Sequence, residues 1–174
     1  MITMVRVFLA PFIFLVPVLS IPFFVIYSIC GVSDALDGFT ARALHCASEK
    51  GSLLDSIADI IFYFILTIRL IPYLYARVAS FIWYMLAVVI LIRLCAYFTA
   101  FIKYKRFASL HTYGNKLTGA AVFSMPFALL VFDEFTVCFA VLTVASISSV
   151  EELVVYIKSK TYPQSFKSVF FYEK

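Results

Sequence analysis

Four aspartates, Asp34, Asp37, Asp55 and Asp59, follow one of the most apolar stretches this chain contains, the charge-free run from Val7 to Val32. A carboxylate at mid-bilayer costs about 2.5–3.5 kcal/mol on insertion scales, so it persists only where it has a partner or a role. Asp34 and Asp37 are spaced i,i+3, and Asp55 and Asp59 i,i+4. Each step is about one helical turn, so each pair shares a helix face. Two such helices side by side would gather the four carboxylates into one volume. Their repulsion then calls for cations, and hard oxygen donors select Mg²⁺, Mn²⁺ or Ca²⁺ over zinc. The plainer alternative is that the aspartates cap helix ends at a membrane surface.

With the residues between them, the aspartates spell Asp34-x2-Asp37-Gly38-x2-Ala41-Arg42-x8-Gly51-x3-Asp55-x3-Asp59. Every position of this string resembles the signature of the CDP-alcohol phosphatidyltransferases, including the eight-residue gap between Arg42 and Gly51. Two aspartates at helical spacing carry little information. Four of them, in register with both glycines, the alanine and the arginine, are specific.

Composition agrees with a membrane protein. The chain has 174 residues, 64% hydrophobic and only 14% charged, against about 25% charged in soluble domains. Its length suits one domain, 1–174. The net charge of +4 is spread out, with no dense basic run, so nucleic acid is not an expected partner. Cys30, Cys46, Cys95 and Cys138 stand singly and read as apolar fillers. The apolar start lacks a small-residue cleavage site and reads as a retained span.

These features predict an all-α integral membrane protein with six transmembrane helices and both termini cytoplasmic. The spans fall at about 2–19, 22–43, 52–71, 79–103, 116–132 and 135–158, with Ile71-Pro72 ending the third. Arg6, Arg42, Lys50, Lys103, Lys105, Arg106, Lys116, Lys158, Lys160, Lys167 and Lys174 then lie on the side of the termini, and only Arg69 and Arg77 opposite. By the positive-inside rule this bias turns the aspartates toward the cytoplasm of a multi-pass plasma-membrane protein. Six spans are also what the resemblance implies.

The resemblance implies transfer of a phosphatidyl group from CDP-diacylglycerol to an alcohol, with release of CMP. It makes Asp34, Asp37 and Asp55 ligands of two divalent cations, Mg²⁺ or Mn²⁺. Asp59 becomes the general base, with metal contact as well. Gly38, Ala41 and Gly51 would let the nucleotide approach closely, although small residues also serve helix packing. Arg42 would serve the donor's phosphate or cytidine, or else snorkel. Related enzymes enter their first span through Pro-Asn-x-x-Thr-x-x-Arg. Here only Thr3-x-x-Arg6 remains, and both residues are candidates for the donor's diphosphate.

Two further cations are candidates for the acceptor. Arg93 interrupts the apolar run Leu91-Ile92-Arg93-Leu94, and Lys116 follows Gly114-Asn115 at the start of a span. Both suit an anionic acceptor, with glycerol 3-phosphate leading and a phosphatidylglycerophosphate synthase-like activity in view. Inositol phosphate, serine or a lipid are the other acceptors. Alternatively, Arg93 pairs with a motif carboxylate and Lys116 snorkels. Glu151-Glu152 are expected to meet one of the two in an ion pair. His45 and His111 are given no chemistry. Membrane lipids are expected partners, and a homodimer is an open option. A small ion channel or transporter could also hold intramembrane carboxylates but needs no fixed register of glycines. A soluble prenyl synthase is ruled out by the apolar spans.

Overall fold

The computed structural model describes residues 2–43, 49–105 and 112–159. Among these residues every regular element is helical. The chain divides into two compact units, Met1–Ala76 and Arg77–Lys174.

The first unit holds α1 (Ile2–Leu9), a 3₁₀ segment (Ala10–Leu15), α2 (Ile21–Ala43) and α3 (Glu49–Tyr75). The expected first span, 2–19, is therefore not one α-helix. Pro11 lies in the first turn of the 3₁₀ segment. It offers no N–H to Val7 and its ring crowds that carbonyl, so α-helix cannot continue through it. In contrast, α3 runs through Pro72 to Tyr75. A proline in the last turn removes one hydrogen bond with little helix left to lose. Ala10 and Ile13 from the 3₁₀ segment, Phe23, Tyr27 and Cys30 from α2, and Phe62 and Leu66 from α3 form the buried core. Tyr27 is stacked between Phe23 at 5.9 Å and Phe62 at 5.5 Å. Arg69 donates from Nη2 to the Val16 carbonyl, which fixes the exit of the 3₁₀ segment against α3.

The second unit holds α4 (Ser80–Tyr104), α5 (Tyr113–Ala128) and α6 (Glu134–Lys158). Helix α5 begins earlier than the expected 116 because Thr112 caps it, accepting from Asn115 N–H at 3.2 Å. It ends earlier than 132, two residues after Pro126. Asp133 caps α6, its carboxylate taking Thr136 N–H and the Thr136 hydroxyl, both at 2.8 Å. Helices α4 and α6 run parallel, as contacts at three levels show. Arg77 faces Glu134 at 3.6 Å at one end, Arg93 meets Glu152 midway, and Lys103 and Tyr104 reach Tyr156 at the other. Ala96 and Ala100, one turn apart and fully buried, let Val155 and Tyr156 pack tightly against α4.

Among the described residues, α4 and α6 are long and apolar enough to cross a membrane. Each has 25 residues, about 37 Å of helix against a hydrocarbon core of about 30 Å. Shorter apolar stretches occupy Met4–Leu15, Ile21–Ser33 and Ile61–Tyr75.

Candidate active site

The backbone places Asp34, Asp37, Gly38, Ala41 and Arg42 in the C-terminal half of α2, and Gly51, Asp55 and Asp59 in the N-terminal half of α3. The side chains of residues 34–56, 59 and 60 lie outside the described ones, as does that of Thr3. Register can still be derived from the stacked pair below them. Asp34 is seven residues after Tyr27, and Asp55 is seven before Phe62. Seven residues are two turns, about 10.5 Å of rise with only about 20° of angular drift. In a hairpin whose helices are joined by the short stretch 44–48, both steps run the same way from the stack. Positions 34 and 55 therefore share a level and a side of the hairpin. Position 59 is level with Cys30 by the same counting. Arg6, only 1% exposed, lies within electrostatic reach of that cysteine.

Asp34 and Asp37 lie on the backbone of α2 and Asp55 and Asp59 on that of α3, and carboxylates are the hard oxygen donors that Mg²⁺ and Mn²⁺ prefer. Among the described residues no group of three or more His, Cys, Asp or Glu side chains could hold a metal.

The second unit contains a polar cluster. Arg93 Nη1 donates to Glu152 Oε2 at 2.5 Å and to Asn115 Oδ1 at 2.9 Å. Asn115 Nδ2 donates to the same Glu152 oxygen at 3.2 Å, and the Tyr156 hydroxyl to its other oxygen at 3.3 Å. Ser148 Oγ donates to Asn115 Oδ1 at 2.7 Å. Glu152 is completely buried, and removing a charge from water is tolerated only with such pairing. The expected ion pair of Glu151-Glu152 with a span cation is thus present, as Arg93 with Glu152.

Lys116 is not brought to this cluster. It is exposed on α5, with Nζ 5.9 Å from the Tyr113 ring centroid. Its neighbour Asn115 is the α5 residue that reaches Arg93. At Gly114 α6 comes close: an added Cβ would stand 2.6 Å from Glu151 Oε2 and 3.1 Å from Ser148 Oγ. Sequence reasoning gave no role to Asn115, Ser148 or Tyr156. The available signal was that positions 145, 148, 149, 152 and 156 repeat at helical spacing with small or polar residues on an apolar helix.

No curated protein and no solved structure matches the chain. The sequence profile described as CDP-alcohol phosphatidyltransferase matches residues 1–154, which takes in the first unit with the whole aspartate motif and most of the second. On that match the chain belongs to the CDP-alcohol phosphatidyltransferase family, membrane-associated enzymes that pass a phosphatidyl group from a CDP-alcohol to an alcohol acceptor.

Proposed function

We propose that this protein is a metal-dependent phosphatidyltransferase that uses CDP-diacylglycerol and glycerol 3-phosphate and releases CMP. The observation that carries the reading is the complete motif on the α2–α3 hairpin, within a family match over residues 1–154. Asp34, Asp37, Asp55 and Asp59 would hold two divalent cations, which supply neutralising charge for the diphosphate when bound. Gly38, Ala41 and Gly51 leave room for the nucleotide beside the helices, and Arg42 offers a planar fork to its phosphate. Asp59 takes the proton of the acceptor hydroxyl as it attacks the phosphorus nearer the lipid. The bond to the CMP oxygen breaks, and CMP leaves with the electron pair. Carboxylate assistance of this kind is worth about 10²–10⁴-fold.

Arg93 and Lys116 are the proposed acceptor cations. For Arg93 the support is an arginine in the middle of an apolar helix, a placement that is rare without a role. One observation favours a second acceptor class. Glu152 neutralises Arg93, which would suit an alcohol of no net charge, such as zwitterionic serine. We further place the chain in the plasma membrane with six spans, both termini and the motif on the cytoplasmic side. The parallel run of α4 and α6, with α5 returning between them, supports three of these crossings.

The test is CMP release by the purified protein from CDP-diacylglycerol with glycerol 3-phosphate, inositol phosphate, serine and glycerol, with and without a chelator. Metal-dependent release with glycerol 3-phosphate is expected. No release with any alcohol would overturn the reading.

A further inference from the structure

The Arg93 guanidinium is held from one end. Both of its hydrogen bonds leave from Nη1, whose two hydrogens are taken by Glu152 Oε2 and Asn115 Oδ1. A guanidinium has five N–H donors, so three remain, two on Nη2 and one on Nε. Among the described residues none of these three has a hydrogen-bond partner, and the side chain is 22% exposed. The Nε–Nη2 edge is one of the two planar forks with which arginine takes two oxygens of a carboxylate or phosphate at once. Meanwhile Glu152 cannot turn away from its task. It is wholly buried, its Oε1 accepts from Tyr156, and its Oε2 accepts from Asn115 as well as Arg93. Asn115 is fixed in turn by Ser148.

We propose that Glu152 and Asn115 are positioning residues that grip Arg93 by Nη1 and so present its Nε–Nη2 edge as a two-pronged seat for the acceptor's phosphomonoester. This rests on the proposed function above for the identity of the acceptor, and it adds the device that sets acceptor choice. Both positioning residues act through the arginine. The ion pair does not remove the seat, because the carboxylate occupies the opposite side of the guanidinium from the open edge. It does set how strongly an anion is preferred: a charge-neutral cluster accepts a phosphate through directed hydrogen bonds more than through net attraction.

Arg93→Lys separates the proposal from a purely structural ion pair. Lysine keeps the charge and the partner Glu152 but has no second edge. The full-length protein in detergent is assayed for thermal stabilisation by glycerol 3-phosphate, inorganic phosphate and glycerol, and for KM with each substrate. Wild type should be stabilised by glycerol 3-phosphate, less by inorganic phosphate and not by glycerol. Arg93→Lys should retain its unliganded melting temperature within about 3 °C, lose that stabilisation, and raise KM for glycerol 3-phosphate at least tenfold with KM for CDP-diacylglycerol unchanged. Glu152→Gln should raise the acceptor KM at least fivefold, and Arg93→Lys/Glu152→Gln should be no worse than Arg93→Lys alone, since Glu152 acts only through the arginine. An Arg93→Lys protein with normal acceptor KM and normal stabilisation overturns the proposal. So does stabilisation of wild type by anionic lipid alone, which would assign the fork to a headgroup. If glycerol 3-phosphate stabilises wild type through Arg93 yet no CMP is released with any alcohol, the seat stands and the proposed reaction fails.

Discussion

The ring of Tyr27 on α2 lies 5.5 Å from the ring of Phe62 on α3, inclined by 29°. This stack ties the two motif helices, and positions 34 and 55 each stand two turns from it. Truncating it should loosen the core and shift the register of these positions together. Phe62→Ala is expected to cost about 3–5 kcal/mol, as for other buried aromatics. Phe62→Leu, which fills most of the volume, should cost much less and retain more transfer activity. Thermal denaturation paired with CMP release checks both. A Phe62→Ala protein as stable and as active as wild type would separate the stack from the site.

The aspartates should divide by role. Asp34→Ala and Asp55→Ala are expected to abolish turnover and to weaken binding of CDP-diacylglycerol measured with Mg²⁺ or Mn²⁺ present. Asp59→Asn should lose turnover by about 10²–10⁴-fold while donor binding persists. Equal loss of donor binding in all three would make Asp59 a ligand and leave the proton without an acceptor.

Membrane sidedness can be read by labelling. Single cysteines placed at Arg77 and at Lys105, in a background lacking the native cysteines, should respond oppositely to an impermeant maleimide in intact cells. Position 77 should label and position 105 should not. Arg77 is an exposed partner of Glu134, and surface pairs of this kind contribute about 0–1 kcal/mol, so the substitution is mild. Labelling at 105 from outside would reverse the orientation.

The turn between α5 and α6 should have an acid-sensitive cap. The Thr136 backbone N–H, and then its hydroxyl, hold the Asp133 carboxyl below the usual carboxylate range. A depressed folded value means the cap stabilises fully above the unfolded value, near 4, and fades as pH falls through the folded one. Asp133→Ala should therefore melt below wild type at pH 7, and the gap between the two should close below about pH 4. A gap that is constant with pH would mean that the cap acts without its charge.

What the sequence made legible follows from which interactions are local. Charge in an apolar chain marked the motif, and the polar pair Asp133-Glu134 marked the start of α6. Boundaries at α2, α4 and α6 fell within a residue or two of expectation. Prolines were less transparent. Pro11 broke α1 into 3₁₀ geometry, whereas Pro72 and Pro126 stayed inside their helices, because the penalty depends on how much helix follows the missing N–H. The partner of Arg93 was visible only as a choice between carboxylates. That Glu152 wins, and that Asn115 and Ser148 complete the cluster, depends on the parallel offset of α4 against α6, a tertiary quantity that no local pattern encodes.

The end of α6 carries one more consequence. A helix leaves its last four carbonyls without intrahelical donors, and water normally supplies them. Here Lys103 Nζ donates to the Tyr156 and Ile157 carbonyls at 3.0 and 2.7 Å, and the Tyr104 hydroxyl to those of Tyr156 and Ser159 at 3.1 and 2.5 Å. A terminus hydrated from within the protein need not reach the aqueous phase. It can finish beneath the headgroups, where dehydration would otherwise cost several kcal/mol for each bare carbonyl. A lysine and a tyrosine of α4 thus do for the end of α6 what water does for other helices.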